Sequence, residues 1–286
     1  MTVDVSAPAR TGTVRLADGR DLAWSEWGAP EGVPVLLFPG AATTGSLGFG
    51  ASTVAGLGVR LIALDRPGLG ASTMLPGKTF HTCADDVTEF AALRGLGRPA
   101  AVGNSQGAPF ALACAAAGVV GPLALVSPAD EIADPRFADV LPEQLRDLIA
   151  LTASDPGAAE QVFAAFDADA MWQMVIGASP DSDLAVYRDP GFETAYRTAL
   201  RDAFAPGPAG YARDTVLAME RWPFDPSAID APVDVWFGEQ DTSHSPDLGV
   251  GLTARIPGAR RHIVPGIGGA VLWTHADDIL RTLLGR

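Results

Sequence analysis

Cysteine, cationic side chains and histidine are all scarce in this 286-residue chain. Its two cysteines, Cys83 and Cys114, cannot build the disulfide framework that stabilises small secreted domains. Lysine and arginine total 20 against 34 acidic residues, so the formal net charge is −14, and no basic cluster offsets it. A surface of this charge repels nucleic acid and anionic membranes, and we expect neither as a partner.

Long apolar runs are missing as well. The longest, such as 108–120, are interrupted or too short to span a bilayer, and residues 1–4 show no basic segment leading into an apolar one, so no signal peptide is expected. Apolar residues nevertheless make up 48% of the chain and charged residues 19%, which allows a large buried core. We therefore expect a soluble, cytoplasmic protein that is a monomer or a homodimer.

Short β-type runs alternate with helical stretches in the first part of the chain, which predicts a mostly parallel sheet with helices on both faces. Between 130 and 222 the patterns are only helical, and strands resume at 233–237. A helical insertion inside an α/β core is typical of a cap over a pocket. The predicted organisation is core 1–129, all-helical cap 130–229 and core 230–286. The predicted strands are 13–17, 22–27, 33–38, 59–64, 99–102, 123–126, 233–237 and 261–264, and the predicted helices are 84–93, 105–117, 142–152, 158–166, 168–176, 192–204, 210–221, 247–256 and 275–284.

The strongest chemical motif is Gly103-Asn104-Ser105-Gln106-Gly107, which matches Gly-x-Ser-x-Gly directly between a predicted buried strand and a predicted helix. A serine on so tight a turn needs small neighbours, because Cβ atoms on either side would clash there. The helix behind it offers backbone N–H groups to a developing oxyanion. The motif predicts that Ser105 is a nucleophile, the alternative being an ordinary turn serine.

With this motif the chain resembles the α/β-hydrolase superfamily over nearly its whole length. The loop 65–72 is similar to the superfamily's glycine-rich turn, and Phe38-Pro39-Gly40-Ala41 falls where its oxyanion loop is found. The resemblance implies an α/β-hydrolase fold, with the N–H groups of Ala41 and Gln106 forming the oxyanion hole.

The superfamily's catalytic acid is matched by Asp241, which follows the strand 233–237 and comes after Ser105 in the expected Ser…Asp…His order. Its role would be to orient and stabilise an imidazolium. The alternative is that Asp241 only caps the next helix. Asp234 and Glu239 are weaker candidates for the acid.

The superfamily's histidine is expected after the last strand, in a Gly-x-Gly-His setting. Here Gly266-Ile267-Gly268 is followed by Gly269, which has no side chain to accept a proton, and a serine hydroxyl without a base is a poor nucleophile. His244, three residues after Asp241, is the first candidate for a replacement, although it could also be an exposed loop residue. His275, His262 and His81 are placed less well, and none of the four histidines has metal-ligand spacing, so no metal or cofactor is expected.

The predicted substrate pocket is apolar. Met171, Trp172 and Val175 lie on a predicted cap helix, where the same pattern is also consistent with simple packing. With Phe38, Gly40 and Gly269 from the core they would accept a bulky hydrophobic or amphipathic small molecule, including a peptide-like or natural-product-like one.

Three functions follow. The first is hydrolysis of an ester, lactone, thioester or amide through Ser105, with Asp241 and either His244 or water as a makeshift base. The second is a non-hydrolytic epimerase, isomerase, cyclase or lyase, because the superfamily includes members that have lost the triad, among them one that epimerises a residue of the peptide natural product bottromycin. The third is a non-catalytic ligand-binding protein, which the strained turn predicted at Ser105 argues against.

Overall fold

An eight-stranded sheet forms the centre of the computed structural model, which describes residues 3–286. The strand order is β1-β2-β4-β3-β5-β6-β7-β8; β2 is antiparallel to both β1 and β4, and all other neighbours are parallel. This is the α/β-hydrolase fold that the sequence predicts. The strands are β1 (Arg10–Arg15), β2 (Asp21–Trp27), β3 (Val33–Phe38), β4 (Val59–Leu64), β5 (Ala100–Asn104), β6 (Leu123–Val126), β7 (Val233–Gly238) and β8 (Arg260–Val264).

The central strands are apolar on both faces because helices cover both sides of the sheet. In β3, Val35 and Leu37 belong to one hydrophobic cluster, whereas Leu36 and Phe38 belong to the cluster on the opposite face. This two-residue alternation follows from the strand's pleat. It also decides which side chains of β3 can reach a site on a given face of the sheet.

Twelve α-helices surround the sheet in the described part of the chain: α1 (Ala51–Gly56), α2 (Phe80–Leu93), α3 (Gly107–Ala116), α4 (Glu143–Ser154), α5 (Pro156–Phe163), α6 (Ala168–Gly177), α7 (Asp181–Tyr187), α8 (Pro190–Phe204), α9 (Ala209–Met219), α10 (Val250–Arg255), α11 (Val271–Thr274) and α12 (Ala276–Leu283). Several begin at side-chain caps that the sequence provides. The Thr79 hydroxyl accepts the Thr82 N–H at the start of α2, and Asp155 and Asp167 do the same for α5 and α6.

Between β6 and β7, every regular element that residues 3–286 contain is helical, namely α4 to α9 and two 3₁₀ turns. The division into core and cap at residues 130 and 229 stays a prediction. None of the described helices is both long and apolar enough to cross a membrane. The cytoplasmic location and the oligomeric state also stay predictions.

Most element boundaries differ from the sequence-based ones by a few residues. The first hairpin is the clearest case, because β1 ends at Arg15 and not at residue 17. Leu16 donates its N–H to the Arg20 carbonyl across a turn in which Gly19 adopts a φ of 86°, so residue 17 lies in the turn. The short helices α1, α7 and α11 are absent from the predicted elements, since four to seven residues are too few to show a period.

Candidate active site

Ser105 lies at a strained turn between β5 and α3. Its φ of 49° is in the left-handed region, which side-chain-bearing residues rarely adopt. The flanking glycines make this turn possible: a Cβ on Gly103 would lie 2.8 Å from the Ala108 Cα, and one on Gly107 would lie 2.1 Å from the Phe38 carbonyl oxygen. The local geometry is that of the nucleophile elbow that the motif predicts.

His244 lies directly between Ser105 and Asp241. Its Nε2 is 3.0 Å from the Ser105 Oγ, and its Nδ1 is 2.9 Å from Oδ2 and 3.0 Å from Oδ1 of Asp241. Asp241 and His244 both belong to the loop after β7, so one short segment supplies the acid and the imidazole. The structure thus brings together three of the residues that the sequence puts forward, in hydrogen-bonded contact.

The electrostatics of this contact favour a charged carboxylate beside a basic ring. Burial opposes ionisation of Asp241, but His244 and the N–H groups of Ser243 and His244 outweigh it and lower the pKa of Asp241 to about 2. Burial also opposes protonation of His244, yet the Asp241 charge and hydrogen bond, helped by the more distant Asp183, raise the pKa of His244 above its usual 6.5. The pair can therefore accept a proton from Ser105 and hold it.

Gly269 lies against the His244 ring. A Cβ built on Gly269 would be 2.8 Å from the imidazole Cε1, closer than packed atoms allow, and 3.3 Å from Nδ1, which is a tight contact. The same Cβ would be 3.7 Å from the Asp241 Oδ2. A side chain at position 269 and the imidazole of His244 would consequently compete for one space beside the same carboxylate.

The other three histidines lie away from Ser105. His262, on β8, bonds to the Asp234 carboxylate at 2.7 Å and stacks on Trp236. His275 precedes α12, where its Nδ1 meets the Thr274 hydroxyl, and His81 is exposed on α2. The Asp234 carboxylate contacts Arg260 and His262, away from Ser105.

The loop after β3 lies beside the elbow, and each of the two segments has a backbone N–H group without an acceptor in the described part of the chain. Gly40 approaches Ser105 so closely that a Cβ on it would be 3.4 Å from the serine Cβ. Ala41 and Gln106 both line the cavity at Ser105, and their N–H groups have no acceptor among residues 3–286. Two unpaired backbone N–H groups near a nucleophile are the arrangement that an oxyanion hole requires.

Arg66 holds this loop from behind, a role that the sequence did not reveal. The guanidinium, 4% exposed, donates to the carbonyl oxygens of Pro39 and Gly40, the latter at 3.0 Å, and to the Asp214 carboxylate at 2.8 Å. Fully buried Lys78 lies 2.6 Å from the other oxygen of Asp214. Arg66 lies in the glycine-rich loop 65–72 that resembles the superfamily's. Its contacts, and the burial of Lys78 against Asp214 of α9, depend on tertiary packing and could not be predicted from the sequence.

The cavity above Ser105 has a volume of about 330 Å³. Gly40, Met171, Val175 and Gly269, four of the residues predicted for the substrate pocket, line this cavity. Further apolar walls come from residues that were not singled out, among them Leu37, Ile132, Met174, Tyr187, Tyr196, Met219, Leu272 and Trp273.

Two predicted pocket residues are wrong. Phe38 does not line the cavity, because the alternation along β3 turns Leu37 towards it and Phe38 into the core on the other face. Trp172 lies on α6 but packs edge-on against Tyr196, with ring centres 5.8 Å apart, instead of facing the cavity. On an α-helix, neighbouring positions point in different directions, so Met171 lines the cavity and Trp172 does not.

The sheet order, the elbow at Ser105 and the helices inserted after β6 define an α/β hydrolase. The chain belongs to the alpha/beta hydrolase family, whose model matches residues 35–281. Among solved structures it is similar to a hydrolase from Pseudomonas aeruginosa, with 21% identity, a TM-score of 0.69, and 97% of this chain and 99% of that chain covered. It is also similar to an esterase from Rhodococcus (20% identity, TM-score 0.66, 100% and 99% covered) and to an enol-lactonase from Burkholderia xenovorans (18% identity, TM-score 0.65, 96% and 98% covered). No curated protein matches the sequence.

Proposed function

We propose that this protein is a serine hydrolase that cleaves an ester, lactone, thioester or amide of a small hydrophobic molecule, with Ser105, His244 and Asp241 as its catalytic triad. The observation that carries the proposal is the continuous set of contacts from the Ser105 Oγ through His244 to Asp241, with distances of 3.0 and 2.9 Å. These lie within the range over which a base takes the proton of a nucleophile.

The mechanism follows from these contacts. As the Ser105 Oγ attacks the substrate carbonyl carbon, its proton passes to the His244 Nε2, and Asp241 stabilises the imidazolium through Nδ1. The N–H groups of Ala41 and Gln106 hydrogen-bond the oxyanion. His244 then gives the proton to the leaving group, which departs and leaves an acyl-Ser105. A water molecule, deprotonated by His244, hydrolyses this acyl-enzyme and restores the hydroxyl.

Gly269 explains the unusual origin of the base. In this proposal the histidine that the family has after its last strand has been replaced by Gly269, and His244 supplies the imidazole from the loop after β7. The absence of a side chain at position 269 supports it, because a Cβ there would overlap the His244 ring. The chain would then keep a complete triad, with its histidine supplied from a different position in the sequence.

The substrate would bind under the helices inserted between β6 and β7, which we assign to a cap. The Met-rich wall from α6 and α9 and the aromatic wall of Tyr187, Tyr196 and Trp273 suit an uncharged hydrocarbon or aryl portion. The esterase and the enol-lactonase of the same fold are named for reactions of this class. The rationale for epimerisation is Gly269 together with an apolar cap. With His244 as the base, the proposed triad favours hydrolysis over epimerisation and over simple ligand binding.

The test is turnover of neutral esters together with labelling of Ser105. We expect hydrolysis of p-nitrophenyl butyrate and covalent labelling by a fluorophosphonate probe, both abolished in Ser105→Ala. Ser127→Ala is a matched control, because Ser127 is a buried serine with positive φ that does not line the cavity. Labelling that survives in Ser105→Ala, or a folded wild-type protein that neither reacts with the probe nor cleaves any ester, would refute the proposal.

A further inference from the structure

Asp183 is a buried carboxylate in the wall of the cavity. It lies on α7, its residue is 1% exposed, and it lines the cavity beside Gly269 and His244. Its Oδ1 accepts the Gly268 N–H at 2.8 Å. Gly268 has no room for a side chain, since a Cβ there would be 2.5 Å from the Asp183 Oδ2, so the carboxylate is seated directly on the loop that precedes α11.

Asp183 differs from the other carboxylates of the cavity in having no cationic partner. Asp130 is paired with Arg136 at 2.7 Å, and Asp241 is paired with His244. Within residues 3–286, no lysine, arginine or histidine nitrogen lies within 4.0 Å of the Asp183 carboxylate, and no lysine or arginine is among the residues that line the cavity. The cavity therefore contains one acidic group whose charge no neighbouring side chain cancels.

Backbone groups surround this carboxylate. Burial, together with the charge of Asp241, raises the pKa of Asp183 above its ordinary value, and the N–H groups of Gly268, Gly269 and Ala270 limit that rise because they favour the charged form. Backbone amides stabilise the charge without neutralising it. In its ionised form Asp183 therefore presents to a ligand in the cavity a negative charge that no cationic side chain of the described residues cancels, in surroundings of low dielectric constant.

We propose that Asp183 is a specificity-determining residue, which restricts the enzyme to substrates whose acyl and alcohol parts are uncharged or positively charged and rejects those that carry a carboxylate or phosphate. This inference rests on the proposed hydrolysis at Ser105. Asp183 lines the same cavity of about 330 Å³ as Ser105 and His244, so a charged group on a bound substrate shares a small space with this carboxylate. Two like charges about 6 Å apart, at an effective dielectric constant of about 20, weaken binding roughly 100-fold.

The same charge bears on product release. Hydrolysis of a neutral ester produces a carboxylic acid, which ionises at neutral pH and becomes an anion inside the cavity. The neutral substrate is tolerated beside Asp183, whereas its anionic product is repelled. Asp183 would therefore limit product inhibition as well as select the substrate.

Two esters that differ only in charge provide the test. The p-nitrophenyl esters of butyric acid and of succinic acid (as the hemisuccinate) have four-carbon acyl groups, one neutral and one anionic. We expect kcat/KM to favour the neutral ester by at least about 100-fold in the wild type and by less than about 10-fold in Asp183→Asn. Asp181→Asn is the matched control, because it removes an exposed carboxylate from the same helix and should leave the ratio unchanged. Both esters are measured on the same protein sample, so a partial loss of folded enzyme lowers both kcat/KM values equally and leaves their ratio unchanged.

Product inhibition by butyrate gives a second readout, which should strengthen at least about tenfold in Asp183→Asn. An unchanged ester ratio in Asp183→Asn, or a wild type that cleaves both esters equally well, would overturn the proposal. If no ester is cleaved at all, the proposed hydrolysis fails, but the charge selectivity can still be measured. Butyramide should then change the tryptophan fluorescence of Ser105→Ala, in which Trp273 lines the cavity, at far lower concentration than butyrate, and equal affinity for the two would refute the role of Asp183.

Discussion

The imidazole of His244 occupies the space that a side chain at Gly269 would need: a Cβ on the glycine would lie 2.8 Å from Cε1 of the ring. Each residue thereby accounts for the other. The His244 imidazole, on the loop after β7, occupies space that a side chain at position 269 would need. Conversely, the proposed hydrolysis is compatible with a glycine at position 269 because His244 contacts both Ser105 and Asp241.

Adding a single methyl group at position 269 should therefore impair catalysis. In Gly269→Ala the new methyl group and the ring cannot both keep these positions, so the ring must shift from its place between Ser105 and Asp241. We expect kcat/KM for a neutral ester to fall by roughly 100-fold, the cost that a displacement of about 1 Å can have. The control is Gly56→Ala on α1, where a Cβ meets nothing within 4 Å and activity should not change. Full activity in Gly269→Ala would show that the close contact does not constrain the base.

A histidine should work from position 269 once His244 is removed. The Cβ of residue 269 points to within 3.7 Å of the Asp241 Oδ2, so an imidazole there can bond to the same carboxylate. We expect His244→Ala/Gly269→His to recover at least about tenfold of the activity that His244→Ala loses, whereas Gly269→His alone, with two rings in one space, should be impaired. Steady-state kinetics on the three variants decides this, and a double variant that folds but is no better than His244→Ala would contradict it.

Arg66 should affect the chemical step more than substrate binding. It fixes the carbonyl oxygens of Pro39 and Gly40, and therefore the direction of the Ala41 N–H. Losing one oxyanion donor costs about 100- to 1000-fold in kcat, and we expect Arg66→Met to lower kcat by roughly 100-fold with little change in KM.

Arg20→Met is the control for that loss, because it breaks the Arg20–Asp86 ion pair, away from the cavity. Rates should be normalised to the active sites titrated by the fluorophosphonate probe. If both arginine variants lower kcat per active site to the same degree, Arg66 has only a structural role.

The pH dependence of kcat/KM should show a base with a raised pKa. His244 must be neutral to accept the Ser105 proton, and Asp241 and Asp183 both raise its pKa. Activity should thus be low in acid and rise through an inflection above pH 6.5. Removing a negative charge favours the neutral ring, so Asp241→Asn should move the inflection to lower pH, besides greatly reducing the maximal rate, and Asp183→Asn should move it in the same direction by less. An inflection that neither variant moves would assign the titration to another group.

The sequence revealed the parts of this site that depend on local structure. The elbow is a five-residue motif between a strand and a helix, so its geometry could be predicted without knowing the rest of the fold. Asp241 follows from its place after β7. His244 could be named only as a candidate, because its contact with Ser105 joins two loops that are far apart in the sequence and depends on an empty position on a third.

The features that the sequence did not reveal depend on which way a side chain points and on contacts between elements that are far apart in the sequence. Phe38 was misplaced because the face of β3 that forms the cavity cannot be read from a continuously apolar strand. Asp183 was overlooked because α7 has only seven residues and one more acidic side chain in a chain with 34 is inconspicuous. The burial of Lys78 beside Asp214 becomes visible only when α9 is in place.

The most direct test of the central claim, that His244 is the catalytic base, is kcat/KM of His244→Ala for p-nitrophenyl butyrate, measured beside His81→Ala. We expect a fall of roughly 10⁴-fold or more for His244→Ala, the cost of removing a triad member, and no change for His81→Ala, which alters an exposed residue of α2. A folded His244→Ala enzyme that retains activity within tenfold of the wild type would contradict the claim.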